Sequence, residues 1–481
     1  MRHRTPAWRR HLVAVLPLAW SAARLLQSAR TTGLAASRAI HRYARHRGER
    51  WPWQVAVWRI GPITAALLCA LALSACESPS RPGQPVDMTC AAGDVACLIM
   101  AIQSANTSGH AYTIALAAGM YPLTAVENET DGPTGLPSIT GVLTILGAGA
   151  ERTVIERVAS APLFRLVHVA ALGTLTLEGI TLQGGAVPLF IPGLFGNGGG
   201  LLNNGGMLTL IDTALIGNSA VFGGSLFSGG GRVTITDSSL ADNSALNSGG
   251  GVDRRDGTLM VTNSTLTRNT ALFGGGIFSL RGTLTLINST LTYNTAELTG
   301  GGLHNGGMAT LTNSTVSSNK ADAGGAILNG VAAPRGSSPG TLVLINNTVV
   351  DNEASSMGGG VFNNIGTVRL HNTILARNTA ESASADCRGS ITSLGNNVIG
   401  DPSGCAMDLQ VSDLTGDPGL GAFTDDGTPG HGFFPLRPES PAVDGGDMAV
   451  CPSTDQRGQR RSDGDGDGTI ICDIGAIELS P

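Results

Sequence analysis

GGGIFSLRGTLTLINSTLTYN, residues 274 to 294, is one turn of a repeat that decides the architecture of this chain. Segments of the same form end in Asn218, Asn243, Asn269, Asn294, Asn319, Asn352 and Asn378, at steps of 25, 26, 25, 25, 33 and 26 residues. The long step contains a Pro/Gly/Ser insertion, Val331 to Gly340, which can bulge from one face without disturbing a stack. Each unit reads Gly-Gly-Gly-apolar, a polar turn, Thr-Leu-Thr-Leu-like alternation, an Asn or Asp, and a second short apolar run ending in Asn. Alternation of period two bounded by Gly and Asn predicts strands. One such unit cannot bury its apolar side, so neighbours must stack and like residues must form columns.

Three columns follow. The first is Leu208, Val233, Leu259, Leu284, Ala309, Leu342 and Val368. The second, two residues on, is Leu210, Ile235, Val261, Leu286, Leu311, Leu344 and Leu370. The third is Leu215, Leu240, Leu266, Leu291, Val316, Val349 and Leu375. Asp212, Asp237, Asn263, Asn288, Asn313, Asn346 and Asn372 fall at the bend between two strands, where a short polar side chain tolerates left-handed dihedrals. Stacked amides can also bond one another along the axis, so Asn263-Ser264-Thr265 reads as part of a turn ladder rather than a glycosylation site. With parallel strands about 4.8 Å apart, the seven aligned coils make a rod on the order of 30 Å.

The arrangement resembles the right-handed parallel β-helix of the pectin-lyase-like superfamily, and the predicted fold is all-β, a single solenoid with about 25-residue coils and disulfide-bearing caps. LTRNTALFGGGIF (266 to 278), VSSNKADAGGAIL (316 to 328) and VVDNEASSMGGGVF (349 to 362) resemble the repeats of chlamydial polymorphic outer-membrane proteins, which are surface adhesins. VACLIMAIQSAN (95 to 106) predicts a short helix. It resembles the C-S-L-R-E-A motif family at Leu98, Ala101, Ile102, Ala105 and Asn106, with Ile99 and Met100 in place of that family's Arg and Glu. From about 371 to 478, HNTILARN, DCRGSITSLGNNVIGDPSGC, SPAVDGGD, DQRG and CDIGAIE resemble the choice-of-anchor Q domain. That resemblance implies a bacterial surface or secreted β-helix and implies no known catalytic activity.

Residues 1 to 75 hold twelve Arg and one acid, Glu49, so the rest of the chain carries 18 basic and 35 acidic residues, a formal net of −17. That balance argues against nucleic acid as a partner. Ile63 to Ala75 is a short apolar run behind Arg59, too short to span a bilayer but right for a signal h-region. Leu73-Ser74-Ala75-Cys76 matches the lipobox of bacterial lipoproteins, which implies a lipid on Cys76 and, with Glu77 following, anchoring in the outer membrane. An ordinary cleaved signal peptide is the alternative. Residues 1 to 56 precede the signal, and a start at Val57 would give a leader of ordinary length. The expected organisation is a leader (1–75), a tether (76–89), an N-terminal cap with the first coils (90–185), regular coils (186–380) and a C-terminal coil and cap (381–481).

Six cysteines remain in the exported part. Of fifteen possible connectivities, proximity favours Cys90 with Cys97, Cys387 with Cys405, and Cys451 with Cys472. Metal binding by them is disfavoured by the lack of Cys-x-x-Cys or clustered His.

No cofactor is required by this reading, and Ca2+ is the one metal the motifs suggest. Asp463, Asp465 and Asp467, with Gly468 at the sixth position, form the front half of an EF-hand-type loop. The back half fails: Ile474 stands where a bidentate Glu is expected, with Asp473 one residue early, so a solvated acidic turn is the competing reading. Asp425-Asp426 and Gly430-His431-Gly432 evoke polygalacturonase motifs but share one loop, which excludes that site.

The face after each Gly run is expected to carry Asp253, Asp256, Arg281 and His304 outward. Asp256 and Arg281 share a column on neighbouring coils, which suits a surface ion pair. Asp253 and His304 share another, two coils and about 10 Å apart, too far for a direct acid/base pair. The leading expectation is a non-enzymatic surface scaffold or adhesin for carbohydrate or a surface protein. A polysaccharide lyase or glycoside hydrolase using these four residues, and a structural envelope protein, stand as alternatives.

Overall fold

The computed structural model describes residues 85–129, 131–187, 196–331, 337–381, 385–464 and 466–479. The leader, Cys76 and Asp465 lie outside the described residues. The chain is a parallel β-helix. Every strand of the repeat region pairs in parallel with its counterpart one coil away, and the registers match the predicted columns: Leu259 lies between Val233 and Leu284, Leu286 between Val261 and Leu311, and Leu266 between Leu240 and Leu291. All three columns are buried, and a fourth, Leu226, Val252, Ile277, Leu303, Ile327 and Val361, closes the core. Full burial of one such side chain stabilises by roughly 1.5–3 kcal/mol.

Each coil has four strands, one more than the sequence pattern separates. In one coil they are Ile277–Ser279, Thr283–Ile287, Thr290–Thr292 and Thr295–Thr299. The fourth strands form a seven-stranded sheet of their own, running from Ser219–Phe222 to Thr379–Ala380. The seven Asp and Asn residues at the bend all adopt left-handed backbone, with φ between 45° and 51°. Four neighbouring pairs among them bond side chain to side chain, Asn263 to Asp237 at 3.0 Å being the shortest.

Two buried polar ladders run beside the core. In the first, Asn218, Asn243, Asn269, Asn294, Asn319, Asn352 and Asn378 each donate a side-chain N–H to the carbonyl oxygen of the next side chain at 2.8–3.1 Å. The last acceptor is the Asp386 carboxylate, which also takes the Asp401 amide. In the second, the backbone N–H of Ser238, Ser264, Ser289, Ser314, Asn347, Thr373 and Asn397 donates to the side chain of the next residue in that order at 2.9–3.4 Å, ending on Asp413. Both ladders run donor to acceptor toward the C-terminus. A carboxylate, which only accepts, is the natural terminator.

The helix α1, Val95–Ser108, buries Leu98, Ala101, Ile102 and Ala105 against the first coils. Asp94 accepts from the Cys97 amide at its start, and Gly109 (φ 71°) ends it. Disulfides join Cys90 to Cys97, Cys387 to Cys405 and Cys451 to Cys472, as proximity in sequence suggested.

The C-terminal segment differs from a simple end cap. After the last coil, residues from 419 onward turn back and lie as a strap along the flank formed by the third strands. Leu420, Phe434, Leu436, Ala442 and Ile474 pack on Val350, Ile374, Ala376 and Val398. Arg461 and Glu478 form a buried ion pair at 2.7 Å, and Arg461 donates to Asn313 at 3.0 Å. Weak periodicity and many Gly and Pro residues hide such a course from sequence pattern, since the strap has no regular structure of its own.

Candidate functional site

Of the four residues proposed for chemistry, Asp253 and His304 are buried and Asp256 and Arg281 are exposed. Asp253, Phe278 and His304 are successive members of one column. Asp253 and His304 are buried, not outward, because the fourth strand of each coil folds over this column across the Gly-Gly turn. Asp253 accepts from Ser248 Oγ at 2.5 Å and pairs with Arg255, whose Nε lies 2.7 Å away. Burial pushes its carboxyl up to about 6, opposed chiefly by Arg255. The Arg255 guanidinium lies over the rings of Phe222 (4.8 Å), Phe278 (5.1 Å) and Phe227 (5.9 Å), a cation–π arrangement.

His304 bonds Thr299 Oγ1 through Nδ1 at 2.9 Å and meets Phe278 edge-on at 5.1 Å. Burial lowers it to about 4, so it is neutral at physiological pH. Arg254, next to Asp253, is fully buried and donates to the carbonyls of Gly257 and Arg281 and to Ser279 Oγ. The ion pair expected between Asp256 and Arg281 does not form. Asp256 instead accepts from the Gly257 amide, and Arg281 is exposed.

The acidic loop is held by its own backbone. Asp463 accepts from the Gly466 and Gly468 amides at 2.7 and 2.8 Å, and Asp467 from Thr469 at 2.7 Å. Asp473 is buried with its carboxylate on the Asp444 and Leu479 amides. Burial, with Glu478 and Asp444 nearby, raises it to about 7. Among the described residues no group of three or more His, Cys, Asp or Glu is placed to hold a metal ion.

The feature that sequence reasoning missed lies on the sheet of fourth strands. A groove of ≈ 470 Å³ runs there along the rod axis, lined by Val187, Ser219, Ala220, Ser244, Ala245, Leu246, Thr270, Ala271, Leu272, Thr295 and Glu297. Ser219, Ser244, Thr270 and Thr295 stand in register on four successive coils. Their hydroxyls bond no protein group among the described residues. The signal was in the sequence: every ladder Asn is followed by one polar residue and an Ala, as in Asn218-Ser219-Ala220, Asn243-Ser244-Ala245, Asn269-Thr270-Ala271 and Asn294-Thr295-Ala296. At the next two coils the polar residue becomes Lys320 and Glu353, which pair at 2.6 Å and close the row.

No family model matches this chain, and no curated protein does. Among solved structures it is similar to the A-module of the mannuronan C-5 epimerase AlgE6 of Azotobacter vinelandii, at 16% identity and a TM-score of 0.35, over 68% of this chain and 96% of that one. The A-module of AlgE4 from the same organism is similar at 15% identity and a TM-score of 0.32, over 68% and 97%. The β-helix assignment rests on the strand register described above.

Proposed function

We propose that this chain is a surface β-helix that binds an extended ligand along the groove of its fourth-strand sheet and does not transform it. A lipid on Cys76 would hold it to the bacterial outer membrane, and carbohydrate or a surface protein would be the partner. The observation that carries this reading is the groove: open, four coils long, with one hydroxyl per coil and an alanine floor. An elongated ligand lying along the axis can bond each hydroxyl in turn. The burial of Asp253 against Arg255 and Ser248, and of His304 against Thr299 and Phe278, supports the same reading, since neither side chain faces the groove.

The test presents the purified chain with uronate-rich polysaccharides, neutral polysaccharides and peptides, with and without calcium, recording binding and product release together. Binding without turnover is expected. Unsaturated uronates or new reducing ends would overturn the proposal in favour of a polysaccharide lyase or hydrolase. Absence of any binding would favour a structural envelope role. A calcium requirement that is lost on Asn substitution of Asp463, Asp465, Asp467 or Asp473 would give those residues a part in holding the cation.

A further inference from the structure

The strap shows how this rod bonds chain that passes over it, here by three separate stretches around Gly430–Gly432, Gln456 and Ala476. Thr265, Thr290, Thr315 and Thr348 stand in register on four successive coils, and each hydroxyl meets the strap. The Gly430 amide donates to Thr265 Oγ1 at 2.8 Å, Thr290 Oγ1 donates to the Gly432 carbonyl at 2.8 Å, Thr315 Oγ1 donates to Gln456 Oε1 at 2.7 Å, and the Ala476 amide donates to Thr348 Oγ1 at 3.1 Å. A hydroxyl both donates and accepts, so one Thr per coil can serve whichever backbone or side-chain amide group passes over it. The groove carries the same device on another face, with Ser219, Ser244, Thr270 and Thr295 in place of the four threonines and nothing bonded to them among the described residues.

We infer that the groove takes an extended polypeptide segment of a partner protein, lying along the rod axis across the four hydroxyls. This rests on the binding function proposed above and names its ligand. Three residues of extended chain, at about 3.3 Å each, span nearly the same distance as two coils at about 4.8 Å, so backbone groups return to phase with the hydroxyls every second coil. The lining carries Val187, Leu246 and Leu272 but no aromatic ring on which a sugar face could stack. Leu246 is 60% exposed, a large apolar side chain at the groove rim. Glu297, exposed and without an ion pair among the described residues, closes one end and calls for a basic side chain there.

The experiment selects phage-displayed random heptapeptides on the purified full chain, then measures the affinity of the synthesised winners by titration. Soluble xylo- and cello-oligosaccharides form a second arm. Winners are expected to carry apolar residues and a Lys or Arg at one end, and to bind at least about tenfold more weakly to Leu246→Asp. Glu297→Lys is expected to exchange the basic preference for an acidic one. Both positions are exposed, and an unchanged melting temperature confirms that the variants fold. Winners indifferent to both substitutions overturn the inference. Oligosaccharides that bind and are lost in these variants overturn the polypeptide assignment while keeping the groove as a binding site. If neither class binds, both the inference and the reading beneath it fail.

Discussion

The flank under the strap and the groove on the fourth-strand sheet are built alike and used differently. Each presents one hydroxyl per coil over four coils. On the flank the threonines are buried and bonded, and the strap is pinned further by a buried ion pair and an apolar cluster. On the groove the hydroxyls face solvent over an alanine floor. A solenoid repeats its surface as faithfully as its core, so a row of like residues is a line of equal sites. Whether such a row is structural or functional depends on whether the chain has supplied its own occupant.

The largest expected effect is on the strap. Arg461→Ala leaves Glu478 buried and uncompensated, which costs about 3–5 kcal/mol. Hydrogen exchange should rise over residues 428–461 while the core columns stay protected. Uniform loss of protection along the rod would mean that strap and coils are one cooperative unit and that the two faces are less separable than described.

Next in size is the ladder. Asn294→Ala removes the acceptor used by the Asn269 backbone and side-chain N–H and the donor used by the Leu266 carbonyl. Each buried group left unsatisfied costs about 1–3 kcal/mol. Denaturant unfolding should show the loss, and a variant as stable as the parent would remove the ladder from the account.

The buried pair of titrating groups gives a prediction of intermediate size with opposite signs. The raised carboxyl of Asp253 contributes stability that is present below about pH 4 and lost as pH rises through about 6. The lowered imidazole of His304 contributes stability present above about pH 6.5 and lost as pH falls toward 4. Between pH 4 and 6 these two slopes oppose each other, while Asp473, raised to about 7, adds a loss of stability with rising pH in the parent and in both variants alike. Relative to the parent, Asp253→Asn should gain stability with rising pH in that window and His304→Gln should lose it, by up to about 1.4 kcal/mol per pH unit. Chemical denaturation at stepped pH checks both signs.

The smallest effect bears on the comparison itself. Thr290→Val removes one of several partners from Gln456 Nε2 and from the Gly432 carbonyl, which still bond each other, and should cost about 0.5–1.5 kcal/mol. Thr270→Val in the groove should change stability by no more than about 0.5 kcal/mol, as at any open surface position. Equal losses would show that the groove hydroxyls are structural too.

Much of the fold was legible because solenoid physics is periodic. A 25-residue step, alternating Leu and Thr, and Asn at fixed bends specify columns, register and left-handed turns. The candidate site was not legible in the same way. Asp253 and His304 alternate outward from the core, and period-two reasoning places them on the surface. The fourth strand that covers them is short and polar and reads as loop. The Asn-Ser/Thr-Ala signature of the groove is visible, but within a period-two pattern each Asn reads as the end of a strand rather than the start of the next face. The strap, held by contacts more than 140 residues away in sequence, leaves no local signal.

The most direct test of the two-face account is hydrogen exchange of the full chain with and without a saturating groove-selected peptide or oligosaccharide. The account predicts new protection confined to Ser219–Phe222, Ser244–Ser248, Thr270–Phe273 and Thr295–Thr299, with the strap-covered flank unchanged. Protection appearing instead along the strap, or around Asp253 and His304, would contradict it.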